Sequence, residues 1–210
     1  MNKRKFTSQE HFSFDDLTEL VSLLRSPEGC PWDREQTHES IRNHFVEEAY
    51  EVCEGIDQKN DPLLCEELGD VLFQVLFHAS IAEDGKRFGI REVIDGICLK
   101  MIRRHPHIFS DQTVAENEIQ KNWDEIKKQE KGEKTLADTL SRVSTALPAL
   151  KRAEKYIEKG AAPTKSSASD PLLKKGEALF QLVSECMKEE LDPEQALNAY
   201  LKNVLENCKN

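Results

Sequence analysis

The sequence predicts an all-α protein built as a bundle of helices. Apolar residues recur at intervals of three and four in four segments, at residues 14–25, 45–56, 64–76 and 90–101. A fifth helix is predicted over 114–128. Runs of turn-forming residues interrupt this pattern, Ser-Pro-Glu-Gly at 26–29 and Asp-Gly-Lys at 84–86. Residues 1–13 are predicted to be a flexible tail, and residues 30–37 a structured loop before the second helix.

The second and third helices each carry a pair of acidic residues. Glu48 and Glu51 are three residues apart, as are Glu67 and Asp70, so each pair shares one helix face. Between the helices, residues 58–62 predict a turn in which Asp61 is the N-cap and Pro62 the first helical residue. The two helices should therefore form a hairpin, and antiparallel packing can bring the two pairs face to face.

Four carboxylates gathered in this way would repel one another. At about 5 Å and an effective dielectric constant near 20, each pair costs about 3 kcal/mol. A cluster of oxygen ligands without Cys or His suits Mg²⁺ or Mn²⁺ better than Zn²⁺. Any single acid on an exposed helix is simply solvated in most proteins, but two pairs beside apolar stretches favour a metal site.

A basic run and two tryptophans are further candidates for the site. Lys100, Arg103 and Arg104 lie at i, i+3 and i+4, an arrangement that suits phosphate oxygens. The alternative is that cations at a helix C-terminus only complement the helix dipole. Beside a carboxylate cluster, phosphate binding is the favoured interpretation. Trp32 and Trp123 could stack on a planar base, but a tryptophan is more often packed in a core.

Composition narrows the classes of function. A chain of 210 residues can hold one core with a smaller appendage. A net charge of −10 argues against tight binding to nucleic acid, and no apolar run approaches the length of a membrane span. The six cysteines show no C-x-x-C spacing, which predicts reduced thiols in a cytoplasmic protein.

The second half of the chain contains a weak repeat of the first. Residues 69–74 (GDVLFQ) are matched by 176–181 (GEALFQ), and 99–102 (LKMI) by 201–204 (LKNV). In this register Lys174 replaces Glu67 and Glu177 replaces Asp70. The predicted organisation is a flexible tail (1–13), a catalytic helical domain (14–130) and a degenerate second copy (131–210) with a linker near 160–171.

Four motifs in order resemble the MazG family of nucleoside triphosphate pyrophosphohydrolases. They are residues 29–37 (GCPWDREQT), 47–51 (EEAYE), 67–70 (ELGD) and 103–109 (RRHPHIF). The resemblance covers roughly residues 14–128. It implies an all-α, dimeric enzyme that splits a (deoxy)nucleoside triphosphate into monophosphate and pyrophosphate, with broad specificity or a role in cleansing the nucleotide pool.

The resemblance also implies roles for individual residues. Glu48, Glu51, Glu67 and Asp70 would bind Mg²⁺, with Mn²⁺ as a substitute. The residues that would contact the substrate are His44, Lys100, Arg103, Arg104 and Trp123. Trp32 is a further candidate for substrate contact, on its ability to stack alone. Glu47, adjacent to the ligands, is the candidate to orient or deprotonate the attacking water. With Glu48 and Glu51 it forms the predicted catalytic group.

Two other classes of function compete with this hypothesis. Di-iron carboxylate proteins also use acidic helical bundles, but they need Glu-x-x-His on two helices, and here that spacing occurs only at Glu35–His38. A non-enzymatic helical interaction module, with its acids as surface solubilisers, predicts no stabilisation by Mg²⁺.

Overall fold

The predicted fold class is confirmed: every regular element in the described residues is a helix. The computed structural model describes residues 6–111, 114–164 and 170–209. The chain divides into two compact units, with the boundary between residues 111 and 112. We call them unit 1 and unit 2.

Six helices of unit 1 lie wholly within its described part. They are α1 (Phe14–Leu24), α2 (Pro31–Glu35), α3 (Arg42–Asp57), α4 (Asp61–Asp84), α5 (Ile90–Arg104) and α6 (Pro106–Phe109). Helices α1, α3 and α5 each pack against the long helix α4. The buried core of unit 1 is Val21, Ile41, Leu76 and Phe77, with Leu17, Phe73, Ile81 and Ile90 packed around it.

Unit 2 begins with a 3-10 turn (Glu116–Glu118) and holds five helices among its described residues. They are α7 (Ile119–Lys131), α8 (Leu136–Ser141), α9 (Ala149–Glu158), α10 (Pro171–Lys188) and α11 (Pro193–Asn207). Helices α9, α10 and α11 pack against one another. The repeated segments 176–181 and 201–204 lie on α10 and α11, as 69–74 and 99–102 lie on α4 and α5.

Helix α1 begins where the sequence predicts, because a capping box fixes its first turn. The Ser13 hydroxyl accepts a hydrogen bond from the Asp16 backbone N–H, and the Asp16 carboxylate accepts one from the Ser13 N–H at 2.9 Å. At the other end, the buried Arg25 pairs with Asp84 at 2.6 Å and packs over the Phe77 ring. This contact joins the end of α1 to the end of α4.

The α3–α4 hairpin is tight, and its turn differs from the prediction by one residue. Gly55 approaches α4 so closely that an added Cβ would lie 2.9 Å from the Leu64 nitrogen. Asn60, not Asp61, is the N-cap, since its side chain accepts a hydrogen bond from the Leu63 N–H. Asp61 is therefore the first helical residue. Lys59 takes a positive φ of 52° to close the turn.

Other boundaries also differ. The predicted loop at 30–37 contains the five-residue helix α2, which is too short to show a periodic pattern. The helix predicted to begin at 114 begins at Ile119, after the 3-10 turn. In the predicted tail, the described residues include Phe6 and Phe12, whose rings stack at 6.4 Å.

The division of the chain differs from the predicted one in the segment that carries the 3-10 turn and α7. The predicted catalytic domain ends at 130, whereas α7 and its residue Trp123 fall in unit 2. In that unit Arg142 donates a hydrogen bond to the Lys131 carbonyl oxygen at the end of α7. Which residues form the catalytic domain stays a prediction.

Candidate metal centre

Three of the four predicted acidic ligands converge on the α3–α4 hairpin. Glu48 projects from α3, and Glu67 and Asp70 project from α4. One carboxylate oxygen of each lies within 4.8 Å of the others. Among the described residues, this is the only group of three or more His, Cys, Asp or Glu side chains close enough to share a metal ion. We call Glu48, Glu67 and Asp70 the acidic trio.

The hairpin explains why these side chains meet. Glu67 and Asp70 are one helical turn apart on α4, so they project from the same side. The close approach at Gly55 holds α3 against α4, which brings Glu48 into reach of both. The trio therefore follows from two local features, the i, i+3 spacing and a glycine near the turn.

Glu51, the fourth predicted ligand, lies beside the trio but outside it. It is one of the neighbours that raise the pKa of Glu48, and its charge also raises the pKa of Glu67. Glu51 is exposed, as is Asp70, whereas Glu48 is half-buried and Glu67 is only 9% exposed. The cluster thus has a buried floor and an open side facing solvent.

Burial and mutual repulsion disfavour the charged form of the buried acids. Burial raises the pKa of Glu48, and the charge of Asp70 and the hydrogen bond and charge of Glu51 raise it further. Burial also raises the pKa of Glu67, together with the charges of Glu51, Asp70 and Glu48. The neighbours that shift these two pKa values most are all carboxyls. A divalent cation would relieve this repulsion, and a set of oxygen ligands fits Mg²⁺ or Mn²⁺.

Three further predicted residues of unit 1 are Glu47 and His44, on the same hairpin, and Trp32, on α2. Glu47 is exposed on α3, and its charge contributes to the raised pKa of Glu48. His44 is exposed one helical turn before Glu48. Trp32 lies on α2 and is 58% exposed, so it is not a core tryptophan.

The three basic residues lie at the C-terminal end of α5. Lys100 and Arg103 are exposed and Arg104 is half-buried. Helix α5 packs on α4, the helix that carries two of the trio. The three basic residues therefore lie on one regular helix, as their i, i+3, i+4 spacing requires if they are to share a face.

Trp123 occupies a polar cleft of about 460 Å³ within unit 2. The half-buried indole shares this cleft with four cations, Lys127 and Lys128 of α7, Lys155 of α9, and Lys159, which follows α9. Acidic residues also line the cleft, and one of them, Glu158, pairs with Lys155 at 2.7 Å.

Sequence reasoning missed one polar cluster in unit 1. His38 contacts both His78 and Arg87, which lie 40 and 49 residues away along the chain. In the sequence, His38 is part of a Glu-x-x-His spacing with Glu35, which indicated only a weak resemblance to di-iron sites. Nothing in the sequence pairs these three residues, because their contact depends on how three elements pack.

Two further observations concern the chain as a whole. All six cysteines are free thiols. No helix in the described ranges is long and apolar enough to cross a lipid bilayer.

Comparisons with known proteins point to one family. Residues 36–109 match the model of the MazG nucleotide pyrophosphohydrolase domain, which includes the whole acidic hairpin. The chain is 43% identical, over 84% of its length, to the Thermotoga maritima nucleoside triphosphate pyrophosphohydrolase/pyrophosphatase MazG. It is 42% identical, over 67% of its length, to the Escherichia coli K12 nucleoside triphosphate pyrophosphohydrolase.

The matched region is a smaller share of the relatives' own length. The chain spans 65% of the length of the T. maritima relative and 54% of that of the E. coli relative. A crystal structure of a mazG-related protein from T. maritima aligns with 54% of this chain and 98% of its own, at 28% identity and a TM-score of 0.47. From the matched domain and the identity to these relatives, we conclude that the chain belongs to the MazG family.

Proposed function

We propose that this protein hydrolyses (deoxy)nucleoside triphosphates to a monophosphate and pyrophosphate, with a divalent cation held at the acidic trio. The convergence of the Glu48, Glu67 and Asp70 oxygens within 4.8 Å supports this proposal most. The names of the T. maritima and E. coli relatives support the same reaction. We expect broad specificity, as suits an enzyme that cleanses the nucleotide pool.

The trio is proposed to hold Mg²⁺, with Mn²⁺ as a substitute. Glu51 is the proposed fourth ligand, because it lies one helical turn after Glu48 on α3 and its charge raises the pKa values of Glu48 and Glu67. The raised pKa values of Glu48 and Glu67 support this assignment, since a bound cation would stabilise the charged forms that their neighbours disfavour. When bound, such an ion lowers the pKa of coordinated water and offsets charge on the polyphosphate.

Glu47 is the proposed base. It is exposed beside Glu48 and close enough to raise the pKa of that residue, so it can accept a proton from water at the open side of the cluster. A carboxylate outside the metal ligands keeps a free oxygen for this proton.

The basic end of α5 is the proposed site for the phosphates. Lys100, Arg103 and Arg104 would stabilise negative charge on the leaving pyrophosphate. The proposed contacts to the nucleoside are His44 and the two tryptophans. Trp32 is exposed enough to stack on a base, and the cations around Trp123 suit a ligand that carries phosphates.

A homodimer is the proposed assembly, since unit 1 exposes an apolar helix face. Three apolar residues of α5 at helical spacing are between 37% and 46% exposed, Val93, Ile94 and Ile97. A second copy of the chain would cover such a face. The six free cysteines support the proposal of a cytoplasmic protein.

Unit 2 is proposed to have lost the chemistry of the first copy. In the repeat, Lys174 and Glu177 replace Glu67 and Asp70, so one of the two acids of α4 has changed sign. The described part of α10 therefore offers no second acidic pair at that register.

The test is a screen for pyrophosphate release over standard and modified nucleoside triphosphates, with Mg²⁺ and with Mn²⁺. We expect release by the wild type, almost none by Asp70→Ala, and wild-type release by Glu177→Ala, the matched position in unit 2. Asp70→Ala should stay folded, because it removes repulsion within the trio. Hydrolysis by Asp70→Ala at the wild-type rate would show that the proposed site is wrong.

A further inference from the structure

Two histidines and an arginine from three separate elements form a hydrogen-bonded chain in unit 1. His38 lies between α2 and α3, His78 lies on α4, and Arg87 follows α4. The Nδ1 atoms of the two histidines are 2.8 Å apart, and their rings stack with centroids at 5.1 Å and planes 6° apart. The Arg87 Nη2 atom is 2.6 Å from His38 Nε2.

The donors and acceptors of this chain have only one consistent arrangement. A guanidinium group can only donate, so His38 Nε2 must accept from Arg87. A neutral His38 then carries its proton on Nδ1 and donates it to His78 Nδ1. His78 in turn carries its proton on Nε2. Both imidazoles must therefore be neutral, because a proton added at either accepting nitrogen breaks one of the two hydrogen bonds.

The surroundings of His78 also favour the neutral form. The Phe45 ring meets His78 edge-on at 5.9 Å, and both line an apolar groove between α3, α4 and α5. Burial lowers the pKa of His78, and the neighbouring His38 lowers it further. The groove contains a second cation, Arg42 of α3.

The acid Glu39 faces this group. Hydrogen bonds from its own backbone N–H and from Thr37 lower the pKa of Glu39, as do the charges of His38 and Arg87. Glu39 is exposed, so its charge is screened by water. Protonation of the histidine pair would thus add positive charge near Arg87 and Arg42, which the screened carboxylate of Glu39 offsets only in part.

We propose that His38, His78 and Arg87 form a clamp that fastens the segment before α3 onto α4, and that protonation of the histidine pair opens it. His38 stands four residues before Arg42, the first residue of α3. The clamp therefore sets where the helix that carries Glu48 enters the hairpin. This inference is independent of the proposed reaction.

Because the clamp requires both imidazoles to be neutral, it should stabilise the folded protein less as the pH falls. The folded state holds His78 neutral more strongly than the unfolded chain does, where a histidine titrates near 6.5. Stability from the clamp is present above about pH 6.5 and is lost as the pH falls below it. The raised pKa values of Glu48 and Glu67 act in the opposite direction, so the two effects can be distinguished.

The test compares thermal unfolding of the metal-free, full-length protein at pH 7.5 and pH 5.5. His78→Asn keeps an acceptor oxygen near the Nδ1 position but cannot gain a proton. The fall in unfolding midpoint between the two pH values should be about twice as large in the wild type as in His78→Asn. His11→Asn, which removes an exposed imidazole, is the control and should fall as the wild type does. An equal fall in wild type and His78→Asn would overturn the proposal.

A second measurement does not depend on unfolding. In the wild type, the ring C–H resonance of His78 should titrate below about 6.5 and respond to His38→Gln. The glutamine side chain in that variant would retain an acceptor for Arg87. Titration of His78 at or above 6.5, or without response to His38→Gln, would overturn the proposal. Neither readout involves triphosphate, so failure here leaves the proposed function untouched.

Discussion

In unit 1 the carboxyls of Glu48 and Glu67 face other carboxyls, whereas in unit 2 the carboxyl of Asp192 faces the ammonium group of Lys151. Lys151 lies 2.6 Å from Asp192 and 3.2 Å from Glu154. Burial alone would raise the pKa of Asp192, but the hydrogen bond from Lys151, its charge and two backbone N–H donors lower it overall. In unit 1 every strong neighbour raises the pKa of Glu48 and Glu67 instead.

The difference distinguishes carboxylates that stabilise the fold through an ion pair from carboxylates that require an added cation. Lys151 on α9 and Asp192 at the N-cap of α11 link two helices, and Asp192 also accepts hydrogen bonds from the first turn of α11. This arrangement is complete within the chain. The acidic trio gathers negative charge, and no side chain in the described ranges forms a comparable ion pair with it, which is costly unless the positive charge comes from solution.

The largest expected effect is on turnover. Glu67→Gln should lower the rate of pyrophosphate release by about 100-fold or more, because it removes charge from the proposed metal site. Asp192→Asn should leave the rate unchanged, since asparagine still caps α11. Steady-state kinetics of both variants measure this contrast. Equal rates for Glu67→Gln and wild type would show that the carboxylates of the acidic trio matter no more for turnover than Asp192 does.

The next effect is on stability without metal, where the two units should respond with opposite signs. Glu48→Gln removes repulsion and should stabilise the metal-free protein by up to about 1 kcal/mol. Lys151→Met keeps the apolar stem but leaves Asp192 and Glu154 unpaired, and should destabilise it by about 1–2 kcal/mol. The loss is smaller than for a fully buried ion pair, because water reaches the side chains of Lys151 and Asp192.

Denaturant unfolding in the presence of a chelator measures both changes. Excess Mg²⁺ should reverse the first result, making Glu48→Gln the less stable protein, and should leave the effect of Lys151→Met unaltered. Destabilisation by Glu48→Gln in the chelated protein would mean that the trio is satisfied by the chain itself.

The smallest expected effect concerns two matched glycines. A Cβ added at Gly69 on α4 or at Gly176 on α10 meets no atom within 4 Å. Alanine at either position should therefore stabilise its helix by about 0.5–1 kcal/mol. Gly69 adjoins Asp70, so only Gly69→Ala should also reduce kcat/KM, if substrate lies against that face. Thermal unfolding and kinetics of both variants test this, and equal kinetics would show that the face beside Gly69 stays clear of substrate.

Much of the fold could be predicted because its signals are local. Helical periodicity and capping residues are read within a few positions, and the start of α1 after Ser13 is an example. The errors arise where local signals compete or are too short. Asn60 and Asp61 can both cap a helix, and only the geometry of the hairpin turn selects Asn60. Helix α2 has five residues, fewer than two turns.

The candidate site also has a part that local signals predict and a part that they do not. The i, i+3 spacing places each pair of acids on one face, so the meeting of Glu48 with Glu67 and Asp70 could be anticipated. The position of Glu51 outside the trio could not, because it depends on the rotation of α3 against α4. The contact of His38 with His78 likewise depends on tertiary packing and leaves no pattern in the sequence.

The most direct measurement is calorimetric titration of the chelator-treated protein with Mn²⁺, in the wild type and in Asp70→Ala. We expect saturable binding by the wild type and at least a tenfold weaker affinity in Asp70→Ala, which equals about 1.4 kcal/mol of binding free energy. Asp192→Asn should bind as the wild type does. Absence of saturable binding by the wild type, or equal binding by Asp70→Ala, would contradict a metal site at the acidic trio.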